Sequence, residues 1–188
     1  MCLINTVKGP VKPDELGNVL SHEHVFVLSP EIHQNFPHEW GDEDRRVDDA
    51  VETLRALKSS GIDTIIDPTV LGLGRYIPRI QRIAHRIDLN IVVATGAYIF
   101  NDLPMYFKMR PAAMADVDVL SKRFVKEITE GIAGTSVKAG VIKCATDWPG
   151  LTPDVERTLR ASSHAHRETG CPITTHTRAQ GRTGLLQQ

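Results

Sequence analysis

Two histidines separated by a single residue are the sharpest chemical feature of the sequence. His22 and His24 belong to the stretch SHEHV (21–25), inside a run whose pattern predicts a β-strand. Alternate residues of a strand point to the same side, so both imidazoles can face one metal ion. The zinc-protease motif is different, because its histidines are four apart on a helix. The pair predicts either metal ligation or two hydrogen-bonded histidines within a strand.

A lysine and a third histidine stand near the ends of two later apolar runs. Lys143 interrupts the run GVIKCA (140–145), and His176 follows ITT (173–175). A lysine inside a packed sheet is costly as an ammonium, so burial would lower its pKa and make the neutral amine available; otherwise the side chain reaches solvent at the strand end. Functional groups gather at the carboxyl ends of parallel strands. His176 is therefore a candidate ligand, or a loop-packing residue.

These residues lie on short apolar runs that alternate with longer segments of helical periodicity. That alternation predicts βα units and a parallel sheet. The five predicted strands are Asn18–Leu28, Thr64–Asp67, Ile91–Thr95, Ala139–Ala145 and Pro172–Thr177. Apolar stripes predict helices between them, at 47–57, 77–87, 117–132 and, after the N-cap signal Thr152-Pro153, up to about Gly170.

The unit order favours an α/β fold of one domain over residues 1–188. It suits an open doubly wound sheet or the first five βα units of a (β/α)₈ TIM-type barrel. A whole barrel needs about 250 residues, while this sequence has 188 and closes on GLLQQ (184–188) without a helix stop signal. We therefore expect a C-terminally truncated barrel.

Composition excludes several classes of function. The 22 Lys and Arg balance 23 Asp and Glu, giving a net charge of −1, which offers no basic footprint for nucleic acid. The sequence contains neither an apolar run long enough to span a bilayer nor a signal-peptide pattern in its first ten residues. The cysteines Cys2, Cys144 and Cys171 are widely spaced and form no CxxC pair. We expect a cytoplasmic protein with no membrane or nucleic-acid partner.

Five segments together resemble, in chain order, the phosphotriesterase family of the amidohydrolase superfamily. They are HEHV (22–25), GLGRYIP (72–78), TGAY (95–98), GVIKCAT (140–146) and THT (175–177). The resemblance extends over nearly the whole chain. The segment GAYIFNDLP (96–104) is most similar to the phosphotriesterase-like lactonases, which open acyl-homoserine or simpler lactones and hydrolyse organophosphate triesters as a side activity.

The resemblance implies a binuclear metal centre in a (β/α)₈ barrel. His22 and His24 match ligands of the more buried metal, Lys143 matches a lysine carboxylated by carbon dioxide that bridges both metals, and His176 matches a ligand of the more exposed metal. The metals would be two divalent ions, zinc before iron, cobalt or manganese. A metal-bridging hydroxide would attack the lactone or ester, and Tyr98 would line the site beside the carbonyl or the leaving oxygen. The partner is a small-molecule lactone or ester, and homodimers are frequent in the family.

Two alternatives remain open from the sequence. The family takes one more metal histidine from the sixth barrel strand and an aspartate from the eighth, and neither strand is present in the 188 residues. The chain would then be a truncated, catalytically inactive metal-binding relative. A TatD-like nuclease also begins with paired strand histidines, but the near-neutral charge and the Lys143 segment favour it less.

Overall fold

Five parallel strands form the central sheet of the protein, of which the computed structural model describes residues 3–110 and 118–188. A short antiparallel hairpin precedes the sheet and consists of β1 (Ile4–Thr6) and β2 (Gly9–Val11). The sheet strands are β3 (Val19–Leu20), β4 (Thr64–Asp67), β5 (Asn90–Gly96), β6 (Val141–Thr146) and β7 (Ile173–Thr177). They neighbour one another in chain order, β3-β4-β5-β6-β7.

Helices connect successive strands and vary in length. Their bounds are α1 (Pro30–Asn35), α2 (Pro37–Trp40), α3 (Glu43–Ser59), α4 (Ile77–Ala84), α5 (Met105–Lys108), α6 (Val119–Thr129) and α7 (Pro153–Thr169). Two 3₁₀ turns cover Pro13–Leu16 and Thr183–Gln187. Within the described ranges, no helix has the length and apolar content needed to cross a bilayer.

The two faces of the sheet bury different side chains. Ile65, Ile91 and Ile142 belong to the large core that the helices cover, whereas Val92 and Val141 belong to a smaller cluster on the opposite, concave side. Because neighbouring strand residues alternate between faces, Lys143 shares the concave side with Val141. Functional side chains on this side therefore face the interior of a curled sheet.

The consecutive strand order confirms the partial (β/α) barrel and excludes the doubly wound alternative. A doubly wound sheet reverses its strand order at a switch point and carries helices on both faces, whereas the order here never reverses. Consecutive parallel neighbours with helices on one face are the arrangement of a TIM-type barrel. The described strands make up about the first five of its eight units.

The predicted helices and the later predicted strands agree closely with the structure. The bounds of β4 are confirmed, and those of β5, β6 and β7 differ from the prediction by one or two residues. Thr152 accepts the N-cap hydrogen bond from the backbone of Val155, and Gly170 ends α7 in the left-handed conformation with φ 72°. Val117 of the predicted third helical stripe lies outside the described residues.

The first predicted strand, Asn18–Leu28, is wrong in its length. Only Val19 and Leu20 form a strand, and the chain bends at Ser21 before the two histidines. Alternation of apolar residues suggested a longer strand, but alternation alone does not reveal a bend. The N-terminal hairpin was not predicted, because each of its strands is only three residues long.

The hairpin closes the amino end of the sheet. The backbone N–H of Val7 donates to Ile91 O at 2.9 Å, and the Asn5 amide donates to Ala139 O at 3.1 Å. Lys8 Nζ donates to the carbonyl of Ile87 at 3.1 Å. The hairpin thus packs against the amino end of β5 and the segment just before β6.

The outer strands of the sheet are exposed. Val19 of β3 is 39% exposed and Ile173 of β7 is 41% exposed, although both are apolar. Each of these strands pairs with only one neighbour among the described residues. A closed barrel would cover both edges.

Candidate functional site

The bend at Ser21 decides which way the paired histidines face. Leu20 pairs with Ile65, and both pack in the helix-covered core. Unbroken strand alternation after Leu20 would point His22 and His24 toward the helices as well. The bend ends the strand, while the N–H of Glu23 still donates to Ile66 O at 2.9 Å and keeps the segment against β4. The two imidazole centroids lie 5.2 Å apart at the carboxyl end of the sheet.

Thr69 and Asp67 hold the ring of His24. His24 Nδ1 lies 2.7 Å from Thr69 Oγ1, and the Thr69 hydroxyl donates in turn to the Asp67 carboxylate. Since that hydroxyl proton is directed to Asp67, His24 Nδ1 carries its own proton and donates to Thr69. The lone pair of this neutral imidazole is then on Nε2. A metal-ligating histidine usually donates one ring N–H to a hydrogen-bond partner of this kind, which fixes the ring and leaves the other nitrogen free for the metal.

Asp67 is buried, 2% exposed, at the end of β4. Burial raises the pKa of this carboxyl to about 6, against the opposing hydrogen bonds from Thr69 and from the Val25 backbone. It also accepts from the backbone N–H of Thr69 at 3.0 Å, so it caps the following loop. Its second role, support of His24 through Thr69, depends on a residue that sequence reasoning missed.

Lys143 is the second largest of the fully buried side chains. It is 1% exposed, in the middle of β6, so the alternative of a solvent-reaching lysine at the strand end is excluded. Burial lowers the pKa of its ammonium group. The neighbouring Cys144 has the opposite orientation and lies buried near Ser162 of α7. Lys143 thus offers an amine to the concave side.

Gly96 allows β5 to approach β6 beside this lysine. It pairs with Lys143 in the sheet, and its φ is +122°. A Cβ at this position would lie 1.9 Å from Lys143 O. The backbone here has room only for glycine, and the N–H of Ala97 donates to the same carbonyl at 3.0 Å.

The pKa values of His22 and His24 depend on the charges of the neighbouring lysine and histidines. The pKa of His22 is lowered by partial burial, then by the positive charges of Lys143 and His176, against a raising effect from Glu23. The pKa of His24 is lowered by burial and by the charges of His22 and Lys143. Cationic groups that are close enough to lower one another's pKa favour neutral imidazoles, and the neutral imidazole is the form that binds metals.

His176 and Tyr98 complete the carboxyl end on the other side. His176 of β7 pairs with Ala145, two residues beyond Lys143 on β6, so His176 and Lys143 share a face. The ring centroids of Tyr98 and His176 lie 5.4 Å apart. The Tyr98 hydroxyl donates to Asp147 Oδ2, and the same oxygen lies 3.4 Å from His176 Nε2. Asp147 is a site residue that sequence reasoning missed.

The predicted site residues therefore lie at one end of the sheet, but they do not form a metal site from acidic, histidine and cysteine side chains alone. Across residues 3–110 and 118–188, no three such side chains are close enough together to hold a metal ion. The additional donor would have to be Lys143, which as an ammonium repels a cation. Two imidazoles and one lysine fit a metal only if the lysine loses its positive charge, and an anionic form of the lysine would bind a cation more strongly than the neutral amine.

Comparison with known proteins gives the relationship of the chain. The phosphotriesterase family model matches residues 2–188. The "Phosphotriesterase homology protein" of Mycobacterium tuberculosis is 56% identical over 187 residues, which are 98% of this chain and 57% of that protein. The "Aryldialkylphosphatase" of Saccharolobus solfataricus is 41% identical over 96% of this chain and 56% of its own length.

A solved structure agrees with both sequence comparisons. The structure of the phosphotriesterase from Mycobacterium tuberculosis matches with a TM-score of 0.94 and 54% identity, over 99% of this chain and 58% of that one. More distant is the "N-acetyltaurine hydrolase" of Rattus norvegicus, 28% identical over 92% of this chain and 56% of that protein. This chain thus spans slightly more than half the length of these relatives. On its sequence and its fold, the chain belongs to the phosphotriesterase family.

Proposed function

We propose that the chain is the site-bearing part of a metal-dependent hydrolase that opens lactones, with side activity on organophosphate triesters. The observation that carries the proposal is the burial of Lys143 on the concave face, 1% exposed, with its charge acting on His22 and His24. A buried ammonium beside two imidazoles is an unfavourable arrangement of positive charge, which favours the neutral amine. Carboxylation of the neutral amine gives an anion and removes the conflict.

The donor set fits two divalent cations once Lys143 is a carbamate. His22 and His24 would hold one ion, with His24 presenting Nε2 because Thr69 occupies its Nδ1. His176 would hold the other, and the Lys143 carbamate would supply the anionic oxygen donor. Imidazole nitrogens with an anionic oxygen donor suit zinc, and also iron, cobalt or manganese. Bound divalent cations supply Lewis-acid polarisation of a carbonyl or phosphoryl oxygen and lower the pKa of a water ligand.

Tyr98 is proposed to line the substrate side of the site. Partial burial and the hydrogen bond to Asp147 raise the pKa of its phenol to about 12. At neutral pH the phenol therefore keeps its proton, and it cannot act as a general base. Its ring lies against His176 and can position the acyl or ester group next to the ligands.

The lactone preference rests on the similarity of segment 96–104 to the lactonase branch. The triester activity is supported by the printed name of the relative from Saccharolobus solfataricus, at 41% identity. A lactone carbonyl and a phosphoryl group both place a polarised oxygen beside a displaced alkoxide or aryloxide. One arrangement of cations can therefore assist both reactions.

The experiment combines metal content with turnover in the same preparations. The chain, loaded with zinc in bicarbonate buffer, is expected to retain about two ions per chain and to open acyl-homoserine lactones in a proton-release assay. Lys143→Ala is expected to lose both the metal and the turnover. Lys143→Glu, which supplies a carboxylate without carbon dioxide, should retain more metal than Lys143→Ala.

The matched control is Lys122→Ala, which removes an exposed lysine from α6. It should bind zinc and turn over substrate as the parent chain does. Hydrolysis that survives in Lys143→Ala would overturn the proposal. Zinc binding without any turnover of lactone or aryl dialkyl phosphate would favour the alternative, an inactive metal-binding relative.

A further inference from the structure

Asp147 connects the carboxyl ends of three neighbouring strands. It follows β6 directly, and one of its oxygens, Oδ2, meets both Tyr98 beyond β5 and His176 on β7. The other oxygen, Oδ1, accepts a hydrogen bond from the backbone N–H of Trp148 at 2.7 Å. The side chain is 17% exposed, so these contacts are largely shielded from water.

The contact with Asp147 determines where the Tyr98 hydroxyl points. Because the carboxylate accepts the hydrogen bond of the phenol, the hydroxyl proton points at Asp147. The ring is then held beside the imidazole of His176, with the centroids 5.4 Å apart. Without the acceptor, the phenol would be free to turn toward solvent or toward a ligand.

The same carboxylate limits the orientation of His176. Nε2 lies 3.4 Å from Asp147 Oδ2, so Nδ1 is the ring nitrogen that does not face the carboxylate. This arrangement mirrors His24 on the opposite side of the sheet, where Nδ1 is occupied and Nε2 is free. In both places an aspartate at the carboxyl end of a strand, Asp67 in β4 and Asp147 just after β6, supports one histidine.

We propose that Asp147 is a positioning residue that fixes the Tyr98 phenol and the His176 imidazole with one carboxylate oxygen. The inference rests on the proposed function for its consequence, which is metal retention and substrate placement. The geometric coupling of the side chains holds without any metal. Two experiments therefore test it separately.

The first experiment uses the metal-free chain and a double-mutant cycle in urea. Tyr98→Phe, Asp147→Ala and the double variant are unfolded beside the parent chain. If the two groups interact, the urea midpoint of the double variant falls by less than the sum of the decreases in the two single variants. The control cycle pairs Tyr98→Phe with Asp102→Ala, an aspartate of the same end whose partners are Asn101 and Lys108. Additive losses in the Asp147 cycle would overturn the proposal.

The second experiment measures zinc affinity by competition with a chelator. Loss of the group that supports a ligating histidine lowers metal affinity by about 10- to 100-fold. We expect a loss of this size for Asp147→Ala, a smaller one for Asp147→Asn, which keeps an oxygen acceptor, and none for Asp102→Ala. Asp147→Ala with the affinity of the parent chain would contradict the positioning of His176.

The two proposals fail differently. A parent chain that retains no zinc would refute the proposed function, while the metal-free cycle would still decide whether Asp147 holds Tyr98. A substrate readout adds a further distinction. If Asp147 positions Tyr98 against the substrate, Asp147→Ala should change KM and kcat by the same factors as Tyr98→Phe does. The effects of the two substitutions should then not add in the double variant.

Discussion

Removal of the Glu127 carboxylate should destabilise the protein strongly, although Glu127 is distant from the chemistry. Its side chain is 8% exposed and makes a bidentate ion pair with Arg75, whose side chain is 14% exposed. It also accepts a hydrogen bond from Thr95 of β5 at 2.7 Å. The ion pair ties α6 to the loop after β4, and Arg75 donates in addition to Ala94 O of β5 at 2.7 Å.

The magnitude follows from the burial. Removing one partner of a buried pair leaves an uncompensated charge and costs about 3–5 kcal/mol. With a urea m-value of about 2 kcal/mol/M, the unfolding midpoint of Glu127→Ala should fall by roughly 1.5–2.5 M. The free energy of unfolding is measured by urea titration of the far-ultraviolet circular dichroism.

A control lies at the C-cap of the same helix. Glu130 pairs with Lys126 at 3.6 Å, but both side chains are about two-thirds exposed. Exposed pairs contribute little, so Glu130→Ala should change stability by no more than about 0.5 kcal/mol. The paired replacement Arg75→Met with Glu127→Leu should recover part of the loss, since no unpaired charge then remains. Equal midpoints for Glu127→Ala and Glu130→Ala would refute the reasoning.

Three further outcomes follow from the structure. Gly96→Ala places a Cβ 1.9 Å from Lys143 O at φ +122° and should lower the free energy of unfolding, measured by thermal unfolding, by about 2–6 kcal/mol. The control Gly134→Ala, with φ +76° and nothing within 4 Å of the new Cβ, should lower it by only about 1–2 kcal/mol. A larger loss for Gly134→Ala than for Gly96→Ala would contradict the close approach of β5 and β6. Thr152→Ala removes the N-cap of α7 and should lower the free energy of unfolding by about 1 kcal/mol; a loss no larger than that of an exposed mid-helix substitution would be inconsistent with the cap. Burial raises the pKa of Cys171 to about 12 and raises that of Cys144. Both thiols should therefore stay protonated at pH 8 and react with a disulfide reagent only after unfolding. Rapid labelling of either thiol in the native protein would argue against the burial.

The later strands were predictable because their apolar runs have clear ends. The run 64–67 is followed by Pro68, and the run 173–177 follows Gly170 and Pro172, so turn residues limit each strand. The concave position of Lys143 followed from alternation within β6. These local signals were sufficient to locate the later strands and the candidate residues on them, whereas the choice between a doubly wound sheet and a barrel needed the strand order of the structure.

There is a physical reason why the length of the first strand and the residues that support the histidines and Tyr98 could not be predicted from the sequence. The bend at Ser21 depends on contacts with β4, which are absent from a local pattern. Thr69 and Asp147 are polar residues just after strands, where capping residues are also common. Their role appears only when the fold brings them to His24 and Tyr98, which are 45 and 49 residues away in sequence.

The N-terminal hairpin has a consequence for the order of events during synthesis. Asn5 docks on Ala139, 134 residues later in the chain. At about 5–20 residues per second, a ribosome needs roughly 7–27 s to make the intervening polypeptide. The Val7 contact with Ile91 can form once β5 has been made, but for that interval the contact of Asn5 with Ala139 has no partner. The first segment made therefore completes its docking late in synthesis.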